Sequence, residues 1–578
     1  MLNPTRRRCV ARTVPGLVFV LAAAVLGATP GQAAPAGALG AEMTLSTLST
    51  TGGTRGNQVA NFPDGTTVVA WTSGTGAKVF VRRRAPGANT WGPLRTYTVP
   101  VGWTAEGDPL DPGLFLFASG PSEFLLGWQE SDGINSRLEV SRLAAGAALI
   151  PTPVKVSGAD TTVMSPGISV NSAGRAIATW RTSSGASPGS IRYSVRLTPT
   201  SAWSTPASLG TATLVPATNT GGFNPIGAVA ENGSMCVVWA KSTGAFPATL
   251  TSRCRATTTF AGPVTMGLTQ YALGSPTTLA SLTAAGNGFV VAASIPSTGT
   301  VNVPISSPGP PTKVRVYSKA SASATWSIQA TYGQVGQALL VPHATGATDG
   351  SAVIDYLQID GSIGAAASDL APNYLTSRFL AQRIKTGSWI GPVVISAAAA
   401  NVTGVEYTLF AGPIALGPDG AAIVPTMVQN GTTNGVLAAS LRGTWASAFG
   451  TPTNWSDFAA FAADAISASS RATIVAIGIP SVIVTVRSTA LRKPFLRSAA
   501  KLSAAPKHGV SLTCRVSWTD AAGTATYAWL RNGAAIGGAT AVTYKPGSAD
   551  IGKKLSCRSK ATNPAGSTTT TSTGLVVS

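Results

Sequence analysis

The chain has 578 residues, with 41 Lys and Arg against 21 Asp and Glu for a net charge of +20, and only two histidines. His343 and His508 fall in different predicted domains, which argues against a histidine-based catalytic triad or a His-rich zinc site.

The first element is a leader. "RRR" (6–8) and Arg12 precede the apolar run "VPGLVFVLAAAVLGA" (14–28), and small residues follow. This order predicts a secretory signal over residues 1–33, cleaved after Ala33 or Ala36. The run is shorter than the ~20 residues a membrane-spanning helix needs. Cys9 precedes it and so cannot be the lipid-bearing cysteine of a lipoprotein. The polar end "STTTTSTGLVVS" (567–578) holds neither a membrane tail nor an LPxTG-type sorting sequence. The expected product is an exported monomer without a membrane span, released or held at a surface by noncovalent contacts.

Without the four signal arginines the charge is +16, of which +10 lies in residues 490–578 and +6 in 34–489. A basic module attracts polyanions at long range. Outside the cell that favours an anionic wall polymer or polysaccharide over nucleic acid; a merely well-solvated surface is the alternative.

From residue 41 onward the chain repeats itself. "QVANFPDGTTVVAW" (58–71) returns as "GISVNSAGRAIATW" (167–180) and "IGAVAENGSMCVVW" (226–239), each with Gly six residues before Trp. Alternating apolar residues on both sides of the glycine predict a strand–turn–strand unit. Second strands end in Trp71, Trp128, Trp180 and Trp239. Third strands follow, such as "KVFVRRR" (78–84) and "SIRYSVRL" (190–197). Fourth strands open with an aromatic–small–Pro signature: "TWGP" (90–93), "AWSTP" (202–206), "TFAGP" (259–263) and "SWIGP" (388–392), with Trp326 and Trp445 in the same slot.

Turns fall near Gly65, Gly120, Gly174, Gly233, Gly288, Gly350 and Gly420, and an eighth near Ser470. The eighth unit, ending in "VIVTVRST" (482–489), lacks a fourth strand, and "AEMTLSTLST" (41–50) reads as an orphan one. Residues 41–488 divided among eight units give 56 each. The predicted fold is all-β: an eight-bladed β-propeller over 34–489, closed by strands from both ends. Seven blades with a leftover hairpin, or an open β-solenoid, are the rival architectures. The repeated tryptophans read as packing between blades rather than as sugar platforms.

Four cysteines remain behind the leader, and an even count in an exported chain predicts disulfides. Cys236 and Cys254 fall on the second and third strands of unit four, within reach of a cross-strand bridge or as two separate buried thiols. Residues 490–578 contain Cys514, Trp529 and "SADIGKKLSC" (548–557). This Cys…Trp…Asp-x-Gly-x-x-x-x-Cys pattern resembles the bacterial immunoglobulin-like module, and the resemblance covers roughly 80 residues. It implies a β-sandwich whose core Trp packs on a disulfide joining Cys514 and Cys557. Leu555 stands where such domains often carry the tyrosine of a tyrosine corner.

In a ring of such blades, second-to-third loops and blade-to-blade crossings share one face. The long insertions fall there: 294–312, 358–375 and the crossing "VGWTAEGDPLDPG" (101–113). The candidate ligand-binding residues are Arg55, Trp103, Glu106, Asp108, Asp111, Glu130, Asp132, Asp360, Asp369, Tyr374, Glu406 and Tyr407. Carboxylates beside aromatics suit sugar hydroxyls and faces, or a structural calcium held by oxygens; no other cofactor is expected. Pro-rich loops that only cover the ring are the alternative.

The propeller pattern resembles the sialidase-like architecture, but the Asp-box Ser-x-Asp-x-Gly-x-x-Trp is absent and "APGANTW" (85–91) only echoes it. That group's catalytic arginines, Tyr/Glu pair and Asp have no counterpart motif here. The expected function is therefore a secreted noncatalytic binding protein. Its ring would recognise an extracellular glycan or surface protein, and its basic C-terminal module would aid attachment. The alternative is a divergent glycosidase or lyase using Glu106, Asp108 or Asp360.

Overall fold

A computed structural model describes residues 43–45 and 54–578 apart from intervening stretches, the longest being 107–112, 183–188, 212–224, 242–246, 270–279, 299–310, 363–373, 397–405 and 520–524. The expected leader, the turns at Gly65 and Gly120, and most of the 294–312 and 358–375 insertions lie outside the described residues. Every described regular element is a β-strand except one 3-10 turn, Ser548–Asp550.

Six antiparallel sheets follow one another, each with its strands in chain order. Blade one comprises Thr54–Asn61, Thr67–Ser73, Lys78–Arg84 and Arg95–Thr98. Blade two pairs a split first strand, Thr104–Ala105 and Leu114–Ala118, with Glu123–Ser131, Ser136–Ala144 and Val154–Lys155. Blade three comprises Met164–Val170, Ala176–Arg181, Ser190–Arg196 and Ala207–Thr211. Blades four, five and six repeat the plan from Ile226 to Ser396. First strands of neighbouring blades touch in succession, and Thr54–Asn61 also touches the late strands Thr453–Ala468 and Arg471–Ile479. The sheets therefore form a closed β-propeller.

The last two predicted blades form one eight-stranded sheet rather than two separate ones. The 16-residue strand Thr453–Ala468 pairs with Asn434–Arg442 through its beginning and with Arg471–Ile479 through its remainder. Its sequence, "TNWSDFAAFAADAISA", has no Gly or Pro to break the chain where one blade ends and the next begins. Met43 pairs with Val486 and Thr44 with Thr485, so the N-terminal segment supplies the outermost strand of the final blade. That contact seals the ring.

Packing explains the tryptophans. Trp128 shares a core with Val68, Val79 and Val99 of blade one, Trp180 with Leu125 and Val140 of blade two, and Trp239 with Ile177 and Ile191 of blade three. The apolar faces of blades one, two and three are thus each covered by the next blade's indole. The indole N–H groups also find partners in two cases: Trp128 Nε1 donates to Glu130 at 2.7 Å and Trp180 Nε1 to Asp160 at 2.9 Å.

A second repeated device holds the opposite edge of the blades. The last residue of the third strand is a cation in blades one, three, four, five, six and seven: Arg84, Arg196, Arg255, Lys319, Arg383 and Arg442. In five of these the cation lies over the aromatic that opens the fourth-strand segment: Arg84 on Trp91, Arg255 on Phe260, Lys319 on Trp326, Arg383 on Trp389 and Arg442 on Trp445. Arg196, Arg383 and Arg442 also donate to the carbonyls of the turn glycines Gly174, Gly350 and Gly420. The aromatic signature is therefore half of a rivet whose other half is basic.

The C-terminal residues form two sheets, one of Phe495–Leu502, Leu512–Thr519 and Thr543–Tyr544, the other centred on Thr526–Arg531 and Lys554–Asn563. Cys514–Cys557 joins them inside a core containing Trp529 and Leu555. Asp550 is buried there and accepts from Arg531 Nε at 2.6 Å, Tyr544 Oη at 2.8 Å and Gly547 N at 2.8 Å. Cys236–Cys254 is also bridged, between directly opposed residues of adjacent strands.

Candidate functional site

Blade two gathers four of the sequence-derived site residues at one end of its central hairpin. Glu130 is the penultimate residue of the second strand, Asp132 lies in the turn that follows, and Arg137 is the second residue of the third strand, opposite Glu130. The crossing from blade one folds onto the same end: Thr104 and Ala105 pair with Ser131 and Glu130, and Glu106 N donates to Gln129 O at 2.8 Å. Trp103, half-buried against the blade-one core, carries the Arg137 guanidinium 4.0 Å above its ring centroid.

Arg137 organises this end. Its Nη2 meets Glu130 Oε2 at 2.6 Å, and its Nε reaches both Glu130 Oε2 and Glu139 Oε1 at 3.0 Å. Glu130 is fully buried and also accepts from Trp128, so its oxygens are spent on holding the blade. Asp132 is exposed, but it accepts from the backbone N–H groups of Ile134 and Asn135, at 2.9 and 2.6 Å, and from the Asn135 side chain. Those donors hold its carboxyl below the usual range, and its work is to form the turn. The partners of both residues thus engage them in holding the blade and its turn. Side-chain partners decide this, and a single strand does not display them.

Glu139 behaves differently. Burial, then the neighbouring Glu130 charge, pushes its carboxyl up to about 7 against the opposing pull of Arg137 and Lys155. One guanidinium shared between two carboxylates cannot fully offset the desolvation of both. Tyr97, packed 5.1 Å from Trp128, has its phenol pushed up by burial and then by Glu130 and Glu139. The result is a carboxyl that changes charge near neutral pH, beside an arginine with 21% of its side chain exposed. Arg137, Glu139 and Tyr97 were absent from the candidate set. The alternation in "SRLEVSRL" (136–143), which puts residues 137 and 139 on one side of a strand, was the available signal.

The other candidates are not brought into this cluster. Arg55 sits opposite Thr72 in blade one. Asp360 occupies a register shift in blade six, where Tyr374 pairs with Ser362. Glu406 and Tyr407 pair with Asn430 and Gln429 at the start of blade seven. Asp108, Asp111 and Asp369 lie outside the described residues. Among the described residues no three carboxylate, His or Cys side chains converge to hold a metal ion. The buried pair Arg378–Asp355, at 2.6 Å, belongs to the core of blade six.

No protein-family model and no curated protein matches the sequence. Solved structures similar to the chain include an ulvan lyase bound to GlcA(1-4)Rha3S, at 11% identity over 77% of this chain and 95% of that one, with a TM-score of 0.38. An α-L-arabinofuranosidase from Fusarium graminearum matches at 12% identity over 57% and 93%, with a TM-score of 0.32. A Hadza microbial sialidase matches at 12% identity over 71% and 79%, with a TM-score of 0.30. These are distant likenesses, and the ring itself rests on the order and pairing of its own strands.

Proposed function

We propose that the protein is an exported glycan-recognition protein whose ring contacts polysaccharide through the face that bears the blade crossings. The observation that carries this reading is the Arg137–Trp103 stack, partly open to solvent and flanked by Glu139. A guanidinium plane, an indole and a carboxyl together supply donors, acceptors and an apolar surface for a sugar ring. Two disulfides, the leader-like N-terminus and the surplus of positive charge support an extracellular setting. The domain division is read as leader 1–33, propeller 34–489 and immunoglobulin-like sandwich 490–578. In that reading the +10 sandwich aids surface attachment. Binding of the full chain to a glycan array, at least tenfold weaker for Arg137→Met, tests the recognition half. Unchanged binding would sink it.

A second reading is favoured by Glu139 alone. A carboxyl poised near neutral pH can deliver a proton to a leaving oxygen, so a glycan-cleaving activity is the alternative. Turnover on a panel of neutral and acidic polysaccharides, lost in a folded Glu139→Gln variant, would support it. Absence of product across the panel would leave the binding reading.

A further inference from the structure

The rivet of cation on aromatic is broken in blade three. Arg196 ends the third strand and Trp203 stands seven residues later, the spacing that brings Arg84 to Trp91 and Lys319 to Trp326. Here the guanidinium turns toward blade two instead. It meets Glu123 Oε1 at 3.2 Å, Ser119 Oγ, and the Gly174 carbonyl at 3.2 Å. Among the described residues no cation lies over Trp203, and its indole N–H makes no hydrogen bond. The ring is nonetheless fixed, because it packs against the buried cluster that contains Val156, Val163 and Trp180.

Trp203 lines a groove of 590 Å³ between the outer edges of blades two and three. That volume falls within the ~300–1,000 Å³ of small-ligand sites. One wall is the edge strand Val154–Lys155 and the other is the segment from Thr200 to Pro206. Arg142, Lys155 and Arg196 line it, and no acidic residue does. The nearest counter-charges are Glu123, already divided between Arg142 at 2.5 Å and Arg196, and Glu139, which stands opposite Lys155. Arg142 keeps 44% of its side chain exposed, and Lys155 forms no ion pair among the described residues. The groove thus combines an uncovered indole with surplus positive charge.

We propose that this groove binds an acidic sugar residue of a polysaccharide, the sugar ring against Trp203 and its carboxylate or sulfate against Lys155 and Arg142. An indole with one open face suits the axial C–H surface of a pyranose, while its N–H can donate to a hydroxyl. A bidentate guanidinium beside a mobile ammonium suits either acid group. The groove's Arg142 end lies away from Glu130 and Arg137, while Lys155 at its other end stands opposite Glu139. Its Trp203 and Arg142 contacts do not rest on the function proposed above.

The test uses the full chain and titration calorimetry with three oligosaccharides of equal length: polygalacturonate, which carries only carboxylates, κ-carrageenan, which carries only sulfates, and neutral arabinan. The acidic oligosaccharides should bind at least tenfold more tightly than arabinan, with affinity falling as salt rises. Lys155→Gln and Val154→Glu, both at exposed positions, should each weaken that binding at least tenfold, and Trp203→Phe, which retains the packing, at least threefold. In an Arg137→Met background the losses caused by Val154→Glu and Trp203→Phe should persist, which separates this groove from the cluster around Arg137. A response to only one acidic oligosaccharide upholds the site and identifies carboxylate or sulfate as its ligand. Equal binding of arabinan, no binding of either acid, or full affinity in Val154→Glu and Lys155→Gln would overturn the proposal.

Discussion

Arg442 lies over the Trp445 ring, 4.9 Å from its centroid, and donates from Nε to the Gly420 carbonyl at 2.9 Å. A cation on a late strand thereby ties its own aromatic to the first hairpin of the blade. Gly420 has φ +87°, and a Cβ there would fall 2.3 Å from Trp445 N and 2.5 Å from Cγ. Gly420→Ala should therefore destabilise the propeller by about 3 kcal/mol or more, combining left-handed strain with backbone overlap. Gly102, with φ +86° and nothing within 4 Å of its Cβ, isolates the strain. Gly102→Ala should cost only about 1 kcal/mol. Thermal melts of the two variants should differ clearly; equal shifts would mean that the close approach at Gly420 is not felt.

Glu139 sets a pH dependence with a definite sign. Its folded carboxyl titrates at about 7 against an ordinary 4.5, so between these values the folded chain holds a proton the unfolded chain has lost. Stability must then fall as pH rises through this window, by an amount on the order of 3 kcal/mol. Glu139→Gln, which mimics the protonated acid, should melt higher than the parent at pH 8 and alike at pH 4. A parallel pair of curves would show that Glu139 is ionised throughout.

Asp550 carries the opposite sign. Burial raises its carboxyl, but the donors on Arg531, Gly547 and Tyr544 together with the Arg531 charge outweigh it and hold the group below the ordinary range. Its contribution is present above the ordinary carboxylate pKa and is lost as pH falls through the lower folded value. Asp550→Asn should cost the C-terminal sheets about 2 kcal/mol at pH 7 and progressively less in acid. Chemical denaturation at pH 7 and pH 3 reads this directly.

The bridge Cys236–Cys254 closes a short segment, with a sequence separation of 18. Replacing both by Ala should destabilise blade four by about 3 kcal/mol through the freed unfolded chain. In denatured protein lacking residues 1–33, without reductant, a thiol reagent should find no free cysteine. Two reactive thiols would contradict the pairing.

Much of the ring was legible because its signals are local. Glycine turns, alternation and the second-strand tryptophans each report on a few adjacent residues, and even the orphan strand at 41–50 was readable as a missing fourth member. The continuous strand Thr453–Ala468 was not, since two blades join there through the absence of a breaker. The site resisted for a different reason. Glu130 looks like a free carboxylate until Trp128 and Arg137 arrive from its own sheet, and the importance of Glu139 depends on sharing that arginine. Partner choice across strands is a property of register, which composition does not encode.

The two-residue clasp of Met43–Thr44 on Ile483–Ser488 also orders events in time. Synthesis delivers this strand before every other described one and its partner hairpin after nearly all the rest of the ring. The earliest strand made therefore waits longest for a mate, and until then the final blade presents a bare edge that a stray strand could occupy. A misassembled or tangled population should consequently carry foreign strands at this seam before it does so at any interior blade.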